Sequence, residues 1–243
     1  MKHLKTIMSV LVILAAVSCT KQQTTGNGLV SFDLLNNQHV TDVTRSNVSD
    51  YTTLPSAGNF TITILDENSS SVWSGKISEW DASTQLPAGN YSVNASYGSI
   101  EEEGFNKPYF YGNKTFVIQG GQTTTVSIPV SLGNTIVMVS CSETFMNYYK
   151  DYSFTITRDG NDIVSFAKDE TRAAFIDGYK LTLEGTLTSE SKTQSFSKEY
   201  SSLSEATAYT FYFDVNNVGG ATITVSFNDT VETVNLGDYE LND

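Results

Sequence analysis

The chain has 243 residues, 39% of them hydrophobic, and 14 Lys and Arg against 27 Asp and Glu give it a net charge of −13. That is enough apolar material for one or two cores, and it excludes nucleic acid as a partner. Phosphate binding draws on clustered cations that release counterions, and the few basic residues here are scattered among acids.

The N-terminus carries Lys2 and Lys5, then an apolar run from Ile7 to Val17 broken only by Ser9, then Ser18-Cys19. This order describes a lipoprotein signal peptide over residues 1–18. The run is shorter than the roughly 20 residues a membrane span needs, and small residues directly precede a cysteine. Cys19 is thus the expected lipid attachment site, with palmitate among its acyl chains, and two or three chains hold a protein stably on a membrane surface. Losing Lys2 and Lys5 takes the net charge from −13 to −15. Residues 19–27 are polar and aperiodic, as a tether is. Cys141 would be the one thiol left, so no intramolecular disulfide is expected. It lies in Ile136-Val137-Met138-Val139-Ser140-Cys141, where Val137, Val139 and Cys141 share one strand face, and it reads as a buried small hydrophobe.

From Gly28 onward the dominant signal is period-two alternation of apolar residues with Thr, Ser and Asn, the pattern of half-buried strands. Phe60-Thr61-Ile62-Thr63-Ile64, Tyr91 to Tyr97 and Val126 to Leu132 carry it. Tyr152 to Ile156, Lys180 to Leu183, Tyr209 to Phe213 and Ile223 to Phe227 repeat it. Turn residues fall between these runs at Asp66-Glu67-Asn68, Gly120-Gly121, Asp159-Gly160-Asn161 and Gly219-Gly220. Pro129 is expected on an edge, because it cannot donate to a ladder. Asp169 to Phe175 and Leu203 to Ala206 offer a helical turn or two, and no longer helical period exists.

The expectation is an all-β protein of two tandem β-sandwich domains, residues 28–133 and 134–243, parting at Gly133-Asn134. An internal echo supports the division. Phe60 to Thr63 running into Asp66 is answered by Phe154 to Thr157 running into Asp159. Leu86-Pro87-Ala88-Gly89-Asn90-Tyr91 is answered by Leu203 to Tyr209.

Reactive groups are sparse. His39, the one histidine outside the signal peptide, sits in the polar stretch Asn36-Asn37-Gln38-His39 and reads as a solvated loop residue. One His and one distant Cys cannot make a tetrahedral zinc set. Glu101-Glu102-Glu103 could supply paired carboxylates, but adjacent like charges usually mark a solvated loop. Asp159-Gly160-Asn161-Asp162 lacks the remaining ligand spacing of a calcium loop and reads as a hairpin turn. No catalytic residue, cofactor or metal is therefore expected. Phe105 with Tyr109, Phe110 and Tyr111 is the candidate ligand-binding cluster, since aromatic rings stack on sugars or anchor partners; packing at the end of a sandwich is the alternative.

The Leu86-Pro87-Ala88-Gly89-Asn90-Tyr91 turn, with Val93 and Ala95, is similar to the Leu-Pro-x-Gly-x-Tyr turn of prealbumin-like and immunoglobulin-like surface domains. Joined to Phe105, Pro108 to Gly112, Phe116 to Ile118, Val137, Phe145 and Tyr152, it resembles an uncharacterised Bacteroides-type lipoprotein family, domain of unknown function 4493. The resemblance implies a fimbrillin-like or adhesin-like outer-membrane lipoprotein, cell-surface or periplasmic, with no catalytic residues to carry over. Its function would be binding, through adhesion or as a surface scaffold. Two alternatives remain open: a fimbrial subunit assembling by strand exchange, and a glycan-binding accessory of a polysaccharide-uptake system. The partners implied are the membrane, through the lipid, and a protein or glycan ligand, with self-assembly open. Fimbrillins are cut after a basic residue near the N-terminus, which makes Arg45 in Thr44-Arg45-Ser46 the processing candidate; an ordinary loop residue is the simpler reading. Asp229-Thr230-Val231 resembles a short O-glycosylation signal.

Overall fold

The computed structural model describes residues 25–37, 47–215, 221–227 and 230–235. Among these residues the chain forms seventeen strands, one α-helix and three 3-10 turns. The fold is all-β, as the alternation requires. In chain order the first strands are β1 (Asn27–Asn37), β2 (Thr61–Leu65), β3 (Ser71–Lys76), β4 (Gln85–Pro87), β5 (Gly89–Tyr97), β6 (Gly104–Phe105), β7 (Phe110–Ile118) and β8 (Thr123–Leu132).

Seven of these make one sheet in the order β3-β2-β5-β7-β8-β1-β4. It becomes a sandwich because β7 and β8 pair only at Phe110–Leu132, Tyr111–Ser131 and Gly112–Val130, then part. One layer holds β3, β2, β5 and β7, the other β8, β1 and β4. Ile62, Ile64, Val93, Val126, Ile128 and Val30 are buried between them. Gly112 makes the corner possible, since a Cβ there would run into the carbonyl oxygen of Pro129. Pro129 itself is not on the expected edge, for β8 lies between β7 and β1. It comes immediately before Val130, the first β8 residue paired with β7, so its missing N–H falls where that neighbour has parted from the strand.

The Leu-Pro-x-Gly-x-Tyr turn closes on itself. The Tyr91 hydroxyl donates to the Pro87 carbonyl at 3.0 Å while its ring is buried. Its echo does the same in the second half, where the Tyr209 hydroxyl accepts from the Ser204 N–H at 3.1 Å. Tyr91→Phe is expected to cost about 1 kcal/mol, the net value of one such bond. Urea unfolding of the variant should show the midpoint shifted and the slope unchanged.

Gly133 and Asn134 lead into β9 (Thr135–Cys141), a short helix α1 (Glu143–Tyr148), and then β10 (Asp151–Arg158), β11 (Asn161–Phe166), β12 (Ala174–Ile176), β13 (Lys180–Thr188), β14 (Thr193–Ser201), β15 (Ala208–Val215), β16 (Ala221–Phe227) and β17 (Thr230–Asn235). A four-stranded sheet, β11-β10-β13-β14, packs on a six-stranded one, β17-β16-β15-β9-β12-β6. Asp159 and Gly160, with φ of 50° and 79°, form the two-residue hairpin between β10 and β11. The helix gave no periodic signal because it is under two turns long. Ser142 caps it by accepting from the Phe145 N–H at 3.0 Å, and Phe145 lies fully buried in the core with Phe154 and Phe213, whose rings stack at 4.0 Å. Each half also contains one parallel pair, β1 with β8 and β9 with β15.

Strand β12 and the starting ends of β9 and β15 are buried on both faces, whereas farther along Ser140 and Tyr212 are exposed. Val137 and Val139 of β9, Ala174 and Ile176 of β12, and Tyr209 and Phe211 of β15 face the second core. Ile136, Phe175 and Ala208, from the same three strands, join the first core instead, together with Ala173. One sheet thus serves both cores and forms a continuous apolar seam. The segment around Asp169 to Phe175 is not helical, as alternation across this seam requires an extended strand at β12. Leu203 to Ala206 forms a turn, with Ala206 at φ 50°. Strand β6 strengthens the junction, crossing from the first half to pair Phe105 with Ala174 and Gly104 with Phe175.

Candidate functional site

The acidic run divides its roles. Glu102 is exposed and pairs with Lys107 at 2.9 Å. Glu103 is not a solvated loop residue. Its carboxylate takes both guanidinium nitrogens of Arg158, at 2.8 and 2.9 Å, and accepts from the Asp177 N–H at 2.6 Å. Its side chain is 11% exposed and that of Arg158 24%. Arg158 also donates to the carbonyls of Lys180 and Asp177. The bidentate geometry raises the guanidinium pKa, chiefly through the Glu103 hydrogen bond. This is a clasp across the junction, directly beside β6, and its carboxylate is fully committed.

The aromatic cluster also splits. Phe110 is 1% exposed and belongs to the first core. Phe105 packs edge-on against Phe166 at 5.3 Å, with the Arg172 guanidinium 4.4 Å from its ring centroid. Alternation explains both placements: in β7 the even positions face in, and β6 delivers Phe105 to the second core. Neither ring is free to stack on a ligand. Tyr109 and Tyr111 point the other way. Their rings are stacked, with centroids 5.6 Å apart and planes 12° from parallel, above Gly133. Tyr111 is 41% exposed and donates to Glu205 at 2.9 Å, which raises its pKa, as does burial.

From Tyr111 a distinct surface runs along β5 and β7. The outward positions are Asn90, Ser92, Asn94 and Ser96 on β5 and Tyr111, Asn113, Thr115 and Val117 on β7, all exposed or half-buried. The register sets Ser96 beside Tyr111, Asn94 beside Asn113, Ser92 beside Thr115 and Asn90 beside Val117. None of the eight is charged. At the far end the β2–β3 turn curls over the strip, making a groove of about 410 Å³ lined by Asp66, Glu67, Ser69, Asn90 and Val117 among others. Asp66 is held there by its own backbone, its Oδ1 accepting from the N–H groups of Asn68 and Ser70, each at 2.9 Å. Alternation alone could have marked these residues as outward. Their alignment into one strip needed the register.

Cys141 is half-buried, packed against the second core. Burial pushes its thiol from 9.0 up to about 12; a Tyr152 hydrogen bond lowers it and the Asp169 charge raises it. Burial likewise lifts the Tyr152 hydroxyl from 10.0 to about 12, helped by Cys141 and Asp169. Both groups keep their protons in the folded chain at pH values where the unfolded chain has released them. Folding therefore binds protons above pH 9, and stability present below that point declines as the pH climbs toward 12. Urea midpoints should hold steady from pH 7 to 9 and then fall, and a rise between pH 9 and 11 would contradict the placement. Iodoacetamide at pH 8 should label Cys141 slowly in the native chain and rapidly in guanidinium, because the thiolate is the reacting species.

Cys19, Arg45 and His39 lie outside the described residues, as does Asp229 of the glycosylation triplet. Among the described residues no group of three or more His, Cys, Asp or Glu side chains is placed to hold a metal ion, and no helix is long and apolar enough to cross a membrane.

Over residues 26–237 the chain matches the family model described as domain of unknown function, DUF4493. The chain belongs to the DUF4493 family. Solved structures resemble this DUF4493 chain at low identity. A fimbrial assembly protein from Parabacteroides distasonis aligns over 86% of this chain and 97% of its own, with a TM-score of 0.50 and 8% identity. A candidate adhesin from Bacteroides thetaiotaomicron aligns over 88% and 99%, at a TM-score of 0.48 and 13% identity. A candidate polysaccharide-binding protein of the same organism aligns over 88% and 100%, at 0.47 and 14%. No curated protein sequence matches the DUF4493 chain. At such identity the first likeness speaks to the fold, and the DUF4493 chain shares that fold over nearly its whole described length.

Proposed function

We propose that this chain is a non-enzymatic cell-surface binding protein, an adhesin or scaffold, anchored in the outer membrane by lipid on Cys19, with residues 28–133 and 134–243 as its two sandwiches. The observation that carries the reading is the seam. Ile136, Phe175 and Ala208 join the two cores and the Glu103–Arg158 clasp closes the junction. A protein that holds a cell to a surface must transmit load between its anchor and its contact face, and a shared core does that where a flexible linker would not. The groups most suited to chemistry are meanwhile occupied, Glu103 by Arg158 and Cys141 by its proton. Beads carrying the mature chain through its N-terminus should be retained on mucin-coated or cell-coated glass several-fold above beads carrying albumin; equal retention on every surface tried would overturn the adhesin reading. Replacement of Cys19 by Ser should abolish labelling by a palmitate analogue and release the protein from membranes.

One observation favours the fimbrial alternative. Strand β1, which leads toward Arg45, is held chiefly by a nine-residue parallel ladder to β8, Leu29–Thr123 through Asn37–Ser131, while β4 touches it only at Asn27 to Leu29. Its loss would bare the β8 edge and the buried side chains of Val126, Ile128 and Val130, the opening that strand exchange requires. Cleavage after Arg45 should then yield detergent-resistant ladders with an N-terminus at Ser46. An intact Cys19 lipopeptide in the native protein would argue for the adhesin.

A further inference from the structure

We propose that the uncharged strip on the outer face of β5 and β7 is a binding track for a neutral polysaccharide, with Tyr111 as its aromatic platform and the Asp66–Glu67 groove as its far end. The proposal rests on the reading of this chain as a surface binding protein and names the ligand class. The chain carries 27 acids and 14 bases, yet the eight outward positions of these two long strands hold none of either. A face that docks a basic or acidic partner carries complementary charge. This one offers hydroxyls and primary amides.

Asn94 and Asn113 stand side by side across the ladder, and each amide supplies an acceptor and two donors, the set that pairs with neighbouring sugar hydroxyls, which are themselves donors and acceptors. Ser92, Ser96 and Thr115 add hydroxyls that can do either. Tyr111 is 41% exposed and braced by Tyr109 and Glu205. A braced ring loses little freedom when it takes the apolar C–H face of a pyranose. From Tyr111 to Val117 the strip runs roughly 20 Å at the rise of a strand, room for a short oligosaccharide segment. The carboxylates of Asp66 and Glu67 at its end accept from sugar hydroxyls and would repel an anionic polymer. A mature net charge of −15 points the same way.

The test is electrophoresis of the full mature chain through native gels containing galactomannan, xyloglucan, dextran or, as the anionic polymer, polygalacturonate. At least one neutral polymer should retard the wild type, and polygalacturonate should not. Tyr111→Ala should lose that retardation, and the double change Asn94→Ala with Asn113→Ala should weaken it at least tenfold in the polymer concentration required. Thr186→Ala, on the outer face of β13, should migrate as wild type. All variants are checked for an unchanged urea midpoint, and Tyr111→Phe, which keeps the ring and loses the Glu205 bond, should retain most of the retardation. Lack of retardation by every neutral polymer, or retention of it in Tyr111→Ala, would overturn the track. Should Tyr111→Ala beads also stay on coated glass as wild-type beads do, adhesion survives and the strip is not its site.

Discussion

Phe175→Ala is expected to lower the unfolding free energy by about 3 to 5 kcal/mol, the usual cost of emptying a fully buried phenylalanine site. The residue lies in β12, within the second half of the chain, but its ring fills the first core beside Ile136 and Ala208. Both tryptophans, Trp73 and Trp80, pack against the first core. Their fluorescence is therefore a reporter of that sandwich alone. The urea midpoint read from tryptophan should fall together with the midpoint read from far-ultraviolet circular dichroism. A first sandwich that unfolds at its wild-type midpoint while the second is weakened would mean that the seam is only a surface contact.

Glu103→Ala should cost about 2 to 3 kcal/mol, between the value of a charged hydrogen bond and that of breaking a fully buried pair. The variant leaves Arg158 facing the Lys180 and Asp177 carbonyls without a counter-charge, and it strips the Asp177 N–H of its acceptor. Glu102→Ala, at the neighbouring residue, makes the comparison. Glu102 pairs with Lys107 in solvent, where both side chains are at least half exposed, and its loss should stay within about 0.5 kcal/mol. Equal effects at the two positions would show that the clasp contributes nothing beyond its charge.

The strands were legible because alternation is local. Tyr91, Val93 and Ala95 are buried and their neighbours face outward, as the period demands. Hairpins announced themselves in the same way, since Asp159-Gly160 offers the two positive φ values a tight turn needs. What the sequence hid is pairing over distance. The β1–β8 ladder joins residues 94 apart, and parallel partners leave no turn to mark them. Glu103 reads as part of a solvated run because its partner stands 55 residues away, in a strand whose alternation breaks at Ile156 and Thr157, just before Arg158. The seam did leave a trace. In Ile136-Val137-Met138-Val139 every position is apolar, and a strand without a polar face is a strand buried on both sides. Val137, Val139 and Cys141 make up one face, Ile136 and Met138 are apolar on the other, and Ala173-Ala174-Phe175-Ile176 carries the same mark.

The aromatic cluster shows where local reading stops. Treated as a loop, Tyr109-Phe110-Tyr111 is three equivalent rings. Set in a strand it divides by parity, Phe110 inward and its neighbours outward. The strip that Tyr111 heads depends on a further layer of information, because Asn94 and Asn113 become neighbours only through the β5–β7 register.

The two sandwiches are expected to fold as one body, through a sheet with a core on each face. Scanning calorimetry of the mature chain tests this directly. A single endotherm whose calorimetric and van't Hoff enthalpies agree is the predicted result. Two endotherms, with Phe175→Ala shifting only one of them, would contradict it.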